Sequence, residues 1–559
     1  MVSRLFSLFS REISGLHEAA FLLALSAIAS QLLGLVRDRL LAGTFGAGAT
    51  LDVYYSAFRV PDLIYVSIAS FVSVTVLIPF IMEGLTAGRK SETRRFINQL
   101  FSVFLVVMAV VSLVAFLLMP VLAQVVAPGF DAAQTDLLIT LSRIILLSPV
   151  FLGLSNLFGG VTQGLRRFFV YAASPIFYNL GIITGVIVFY PLFGPVGLAY
   201  GVALGALLHL AVQLPIIYQT GFWPRLVWPT DWRPIKEVIL TSFPRTITLS
   251  AHQLALLALV ALASTFSVGA ISVFNLAWNL QSVPLSIVGV SYSVAAFPAL
   301  ARLFAQGERA TFLKQIKTAM RHIVFWSMIA TVFFIVLRAQ VVRVILGSGQ
   351  FGWTETRLVA AALAIFAVSV VAQSLVLLLV RGYYAAGRTI VPLVVNTLSS
   401  LLIIGLAFLY SFFFVNWSFG RWFLEALLRV GDVPGTEVLL LPLAFSTGLL
   451  INLAALWHFF HRDFCSLGAA VNASLWQSFA AATFGGFVAY QVLSILATRL
   501  DLDTFRGIFN QGLGAGLAGL LATFILLWAL DNREIRELWS TLHRKFWRQA
   551  VIAPGPEEL

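Results

Sequence analysis

Six ionisable side chains crowd one apolar stretch of the chain, and their types can do specific chemistry. In "QLLGLVRDRLLAGTFGAGATLDVYYSAFRVPDLIY", residues 31–65, Arg37, Asp38, Arg39, Asp52, Arg59 and Asp62 sit within a few residues of long apolar runs. Guanidinium groups offer planar, charge-assisted donors to carboxylates or phosphates. In a membrane such groups are costly unless they are paired or face water. Two readings therefore stand side by side. Either Arg37 pairs with Asp38 or Asp52 and locks helices together, or these residues line a hydrated cavity that receives an anion. Arg37 and Arg39, two residues apart, cannot share a helix face. Arg39 and Asp62 are expected near the interfaces, where a long side chain can reach water. Farther along, "SFPRTITLSAHQ" places Arg245 seven residues before His252, on one face about two turns apart. Arg245 reads either as a membrane-end anchor or as a cavity cation. His252 reads as a packing residue, and Arg143 as a salt-bridge partner or an interfacial anchor.

The elements that must position these groups follow from composition. Only 11% of the 559 residues are charged and 60% are hydrophobic. A soluble chain carries about 25% charged residues. Residues 168–224 and 246–301 hold no Asp, Glu, Lys or Arg, and a turn breaks each, so each is expected to be a helical hairpin. The fold class expected is all-α: a polytopic membrane protein of about fourteen transmembrane helices. The spans expected are 19–46, 51–82, 96–122, 134–163, 169–190, 196–219, 235–263, 269–300, 312–336, 358–386, 389–414, 438–460, 470–497 and 506–530. The first apolar run leads directly into further spans without a small-residue cleavage site, so it is read as a span and not as a leader. Counting Lys and Arg in the segments between spans gives 24 on the side of the termini and 7 on the other. That bias predicts both termini in the cytoplasm.

The chain also repeats. "GTFGAGA" (43–49) returns as "STFSVGA" (264–270), the Val-Pro at 60–61 returns at 283–284, and Pro175 and Asn179 match Pro392 and Asn396. The offsets are 221, 223 and 217, so six helices separate equivalent points and the copies share an orientation. The organisation expected is an N-lobe at 18–219, a C-lobe at 233–461, an appended helix pair at 470–531 and a cytoplasmic tail at 532–559.

The lone Cys465 excludes an intrachain disulfide and a multi-cysteine metal site. No paired-carboxylate, Ser-His-Asp, zinc or phosphate-loop spacing is present, so the chain reads as a transporter and not an enzyme, with no catalytic residue, metal or cofactor. The net charge of +12 reflects basic loops, not nucleic-acid binding. The glycines at 512–516 follow no strand and read as helix-packing positions.

These residues resemble the MurJ (MviN) family of lipid II flippases in the MOP exporter superfamily. The resemblance is carried by "LLGLVRDRLLAGTFGAGATLDVYYSAFRVPDL", "VPLSIVGVSYSVAAFPALARL" (283–303), "GSGQFGWTETRL" (347–358) and "RGYYAAGRTIVPL" (381–393), and runs over about 20–460. It implies two six-helix lobes plus a final pair that helps form a lipid-tail groove. It also implies transfer of undecaprenyl-pyrophosphate-linked peptidoglycan precursor from the inner to the outer leaflet of the bacterial cytoplasmic membrane by alternating access. The substrate-binding positions it implies are Arg37, Asp38, Asp52 and Arg59. Partners implied are the lipid-linked precursor, membrane lipids and cell-wall synthesis proteins. The chain departs from the family pattern at Gln31 and near Tyr65, where arginines are usual. It departs again at Trp278 and Asn279, which replace an Asp-Arg pair, and near Ser282, where an acid is usual. Arg245 is the residue expected to compensate. Alternatives are a flippase for another polyprenyl-linked glycan, a small-molecule antiporter of the superfamily, or a non-transporting membrane scaffold acting through its basic, Trp-bearing tail.

Overall fold

The computed structural model describes residues 16–69, 81–84, 87–165, 167–464 and 468–547. Cys465, residues 70–80 of the second expected span and the tail beyond 547 lie outside the described residues. Among the described residues the chain is helical, without a strand. The principal helices are α1 (Leu16–Phe45), α2 (Ala49–Ser56), α3 (Arg59–Ile64), α4 (Lys90–Val126), α5 (Ala132–Ile145), α6 (Leu147–Gly164), α7 (Phe168–Thr184) and α8 (Val196–Ala211). Next come α9 (Arg233–Ala263), α10 (Ala270–Pro284), α11 (Ser291–Ala305), α12 (Arg309–Val336), α13 (Arg338–Leu346), α14 (Trp353–Ala385) and α15 (Ile390–Asn416). The last are α16 (Ser418–Leu428), α17 (Leu440–Phe464), α18 (Gly468–Ala497), α19 (Phe505–Ala529) and α20 (Arg533–Trp547).

Twelve segments among the described residues are long and apolar enough to cross a membrane, from Lys90–Val126 to Phe505–Ala529. They correspond to the third through fourteenth expected spans. α1, with 30 residues, is about 45 Å long. The second expected span is not one helix. It breaks into α2 and α3 around Ala57 and Phe58 and continues as a π-helical turn, Tyr65–Ala69. The same feature recurs at Leu285–Val290, directly after α10. Pro61 and Pro284, the repeated prolines, precede these turns, and a proline withholds one donor from the helical ladder. The repeat shows at helix starts as well: α2 begins at Ala49 and α10 at Ala270, 221 residues apart.

Two compact units account for the packing. The first comprises Met1–Leu280, Ile345–Ala362 and Thr389–Asn452, and the second Gln281–Val344, Leu363–Arg388 and Leu453–Leu559. In the first unit α7 packs on α8 and α1, and α9 on α15. Small residues permit the α7–α8 contact: a Cβ on Gly181 would lie 2.2 Å from the Gly205 Cα. Without a hydrophobic drive between helices in lipid, such close backbone contact supplies the attraction. In the second unit α18 packs on α19 and on α12, with Gly485 facing Gly519 and Thr523. Gly512, Gly514 and Gly516 sit against Gln340, Leu496 and Leu337, as the packing reading of these glycines expects. On α4, Val110, Leu113, Leu117 and Val121 form an exposed apolar stripe that lipid satisfies.

Candidate functional site

The charged residues of the first helices meet polar groups of α7 and α10, all inside the first unit. Arg37 bonds Asp38, with Nε to Oδ1 at 2.9 Å and Nη2 to Oδ1 at 2.8 Å. Its Nη1 donates to Asn179 Oδ1 at 3.2 Å. Asn179 is held in turn, since its Nδ2 donates to Ser30 and to the Pro175 carbonyl. Asp38 is buried, whereas the Arg37 side chain keeps 22% exposure. The second Asp38 oxygen accepts from Asn279 Nδ2 at 3.0 Å.

Asp52 does something different. Its Oδ2 accepts from the Gly269 N–H at 2.7 Å, and its Oδ1 from the Ser272 N–H at 2.8 Å and the Ser272 hydroxyl at 2.6 Å. These donors stand at the N-terminus of α10, where backbone N–H groups lack helical partners and a negative charge is favoured. Asp52 thus caps a helix of the other repeat. Gly269 adopts φ +93°, and a Cβ there would lie 2.2 Å from the Ala47 carbonyl oxygen, so glycine is required for the approach.

Arg59 is half-buried and donates through Nη2 to Asn275 Oδ1. Its Nε is buried and makes no hydrogen bond. Among the described residues no carboxylate lies within ion-pair distance of it. Asn275 is buried, and its Nδ2 donates to the Ile271 carbonyl at 2.8 Å, which fixes its oxygen toward Arg59.

The remaining candidates lie elsewhere. Arg245 is exposed on α9, one residue after Pro244. His252 packs against the rings of Trp278 and Phe445 at 6.3 and 6.1 Å. Arg39 donates to the carbonyls of Ile345 and Gly347, both at 3.2 Å, closing the end of α13 as basic side chains do at helix C-termini. Arg143 meets no carboxylate among the described residues, which removes the salt-bridge alternative; it donates to the Phe116 carbonyl at 3.1 Å and stacks 4.7 Å from that ring's centre. Asn275 and the capping role of Asp52 were missed from sequence. Only Asn275's i, i+4 relation to Asn279 gives a local sign, one polar face on an otherwise apolar helix.

Arg37–Asp38 is a compensated pair that can exchange a partner for a ligand oxygen. Arg59 is a cation met by a neutral acceptor. Together they suit an anionic, multi-oxygen group.

Comparison with known proteins identifies the family. A family model described as "Lipid II flippase MurJ" matches residues 41–508. A probable lipid II flippase MurJ of Rhizobium tropici is 29% identical over 376 residues, covering 66% of this chain and 70% of the relative. Its counterpart in Vibrio cholerae is 24% identical over 529 residues, covering 92% and 96%. The fold matches a solved lipid II flippase MurJ in an inward closed conformation with TM-score 0.71 and 18% identity, covering 92% of this chain and all of that one. It also matches an inward-facing multidrug resistance MATE transporter of the MOP superfamily at TM-score 0.62 and 15% identity, covering 78% and 95%. The chain, a multi-pass membrane protein, belongs to the MurJ family of lipid II flippases.

Proposed function

We propose that this chain carries lipid II, a polyprenyl-diphosphate-linked peptidoglycan precursor, from the inner to the outer leaflet by alternating access, with both termini cytoplasmic. The six-helix lobes at 18–219 and 233–461 are the bodies that rearrange, and the polyprenyl tail stays in lipid while the headgroup crosses. Arg37, Asp38 and Arg59 form the headgroup site, and exposed Arg245 receives the anion on the cytoplasmic side. The observation that carries this reading is Arg59, a half-buried guanidinium that, among the described residues, has a buried unused Nε and only a neutral side-chain hydrogen-bond partner. A diphosphate supplies the acceptors and the counter-charge it lacks. Asp52 holds the start of α10 to α2, a contact that must break for the opposite opening.

The test is rescue of a strain depleted of its lipid II flippase. The wild-type chain restores growth, and Arg37→Ala does not. Wild-type failure despite membrane expression overturns the substrate assignment. Should Arg245→Ala rescue as well as wild type, Arg245 has no part in transport.

A second reading, a flippase for another polyprenyl-linked glycan, is favoured by the uncharged Gln31, Tyr65, Trp278 and Asn279 at positions where the family pattern is charged. A cation-coupled antiporter is disfavoured by Asp38 and Asp52, whose carboxylates already have partners on both oxygens.

A further inference from the structure

Two carboxamides one turn apart on α10 face the charged residues of α1 and α3 and treat them differently. Asn279 donates to Asp38, holding that carboxylate where it also meets Arg37. Asn275 accepts from Arg59. The direction of the Asn275 amide is set by its own helix, because Nδ2 is bound to the Ile271 carbonyl. Its oxygen is therefore a fixed, buried acceptor one turn from the group that organises the other arginine.

An acceptor without charge orients a guanidinium but cancels none of its charge. A carboxylate at the same place would do both. We infer that Asn275 is a specificity-determining positioning residue, which fixes Arg59 while leaving its positive charge available to a diphosphate headgroup. Resting on the flippase reading above, this arrangement leaves one cation without a carboxylate in contact beside an arginine that has one. Asp62, one turn from Arg59 on α3, is the carboxylate whose charge acts on Arg59 through space, yet the two do not reach ion-pair distance, so no carboxylate oxygen occupies a guanidinium donor. The unused Arg59 Nε marks where a further acceptor oxygen is needed.

A packing role and a charge-reserving role order the substitutions oppositely. Asn275→Asp preserves shape and acceptor, so simple packing ranks it nearest to wild type and Asn275→Ala farthest. Charge reservation ranks Asn275→Asp as the most damaging to transport although it is at least as heat-stable as Asn275→Ala, because the new ion pair competes with the headgroup. The full chain is purified, its thermal midpoint measured, and its transfer of fluorescent lipid II followed in vesicles. Asn275→Asp is expected to slow transfer about tenfold or more, and Asn275→Ala about threefold or less. Equal or faster transfer by Asn275→Asp than by Asn275→Ala overturns the inference. Arg59→Ala runs in parallel. If it transfers like wild type, the headgroup reading itself fails. If it is inactive while Asn275→Asp is fully active, only the role of Asn275 fails. Should Asn275→Asp not accumulate, Asn275→Ser is compared with Asn275→Ala and Arg59→Ala: it leaves Arg59 charged and is expected to lose no more transfer than Asn275→Ala, and loss matching Arg59→Ala would refute the proposal.

Discussion

Two arginines, Arg321 of the second unit and Arg59 of the first, are held by opposite means. In the second, Arg321 on α12 faces carboxylates of α20: its Nε lies 3.6 Å from Glu534 and its Nη2 3.8 Å from Glu537, with His322 Nε2 3.2 Å from Glu537. Arg321 and Glu534 are both almost fully buried, so charge meets charge and the tail helix is fastened. In the first, Arg59 meets a carboxamide and keeps its charge. A buried ion pair holds structure together, since removing one partner strands the other. A neutrally held cation is poor at that task and suited to receiving an anion. On the flippase reading proposed above, the contrast distinguishes a fastening charge from a receiving one.

The largest effect expected is on transport. Arg59→Ala should reduce lipid II transfer in vesicles about tenfold or more, with a smaller loss of heat stability than removal of a contact ion pair, because only the more distant Asp62 loses a favourable charge. Glu534→Gln should do the reverse. It leaves Arg321 with Glu537 alone, the more exposed of its two carboxylates, and costs on the order of 1–3 kcal/mol. The thermal midpoint of purified protein should fall, while transfer per folded molecule stays at the wild-type rate. A transport defect in folded Glu534→Gln would erase the distinction between the units.

Asp52→Asn tests the helix cap. The amide nitrogen cannot accept from both the Gly269 and Ser272 sides, so one donor is orphaned at a cost of about 1–2 kcal/mol. Chemical-denaturation midpoints would show it, and an unchanged midpoint would reduce Asp52 to an incidental contact. The smallest effect concerns Arg357 and Asp432, an exposed pair bonded at 2.7 and 2.5 Å. Arg357 holds the Asp432 carboxyl below the ordinary carboxylate range. A group lowered on folding stabilises above its unfolded pKa and loses that contribution as pH falls through its folded value. The small stability gap between wild type and Arg357→Gln should therefore be constant from about pH 5 to 8 and close below about pH 4. A gap that persists at low pH would assign the effect to the Arg429 carbonyl, which Arg357 also bonds.

Much of this architecture is legible in sequence for a physical reason. Lipid forces every span to satisfy its own backbone, so apolar length reports helices directly. Residues 168–224 and 246–301 fold as the hairpins their lack of charge implies, and the "GTFGAGA" and "STFSVGA" segments both end where a helix begins. The break between α2 and α3 and the π-helical turns were not legible, because they depend on how neighbouring helices meet. The site divides the same way. Arg37, Asp38, Asp52 and Arg59 stand out as charges in apolar sequence. Their partners Asn179, Gly269, Asn275 and Asn279 lie 142 to 241 residues away and carry no charge to betray them. Repeat comparison sharpens the point. At the 221-residue offset Asp38 and Asp52 correspond to Leu259 and Val273, and at the 223-residue offset of the repeated Val-Pro Arg59 corresponds to Ser282. The second copy gives up the charges and supplies the amides that hold them.

Binding decides whether Arg59, held by a neutral amide and not by a carboxylate in contact, receives the diphosphate. Purified wild-type protein and Arg59→Ala are each titrated with lipid II and with an analogue in which a neutral linker replaces the diphosphate. The account predicts that wild type prefers lipid II strongly and that Arg59→Ala loses most of that preference by weakening lipid II binding alone. Retention of the full preference by Arg59→Ala would contradict it.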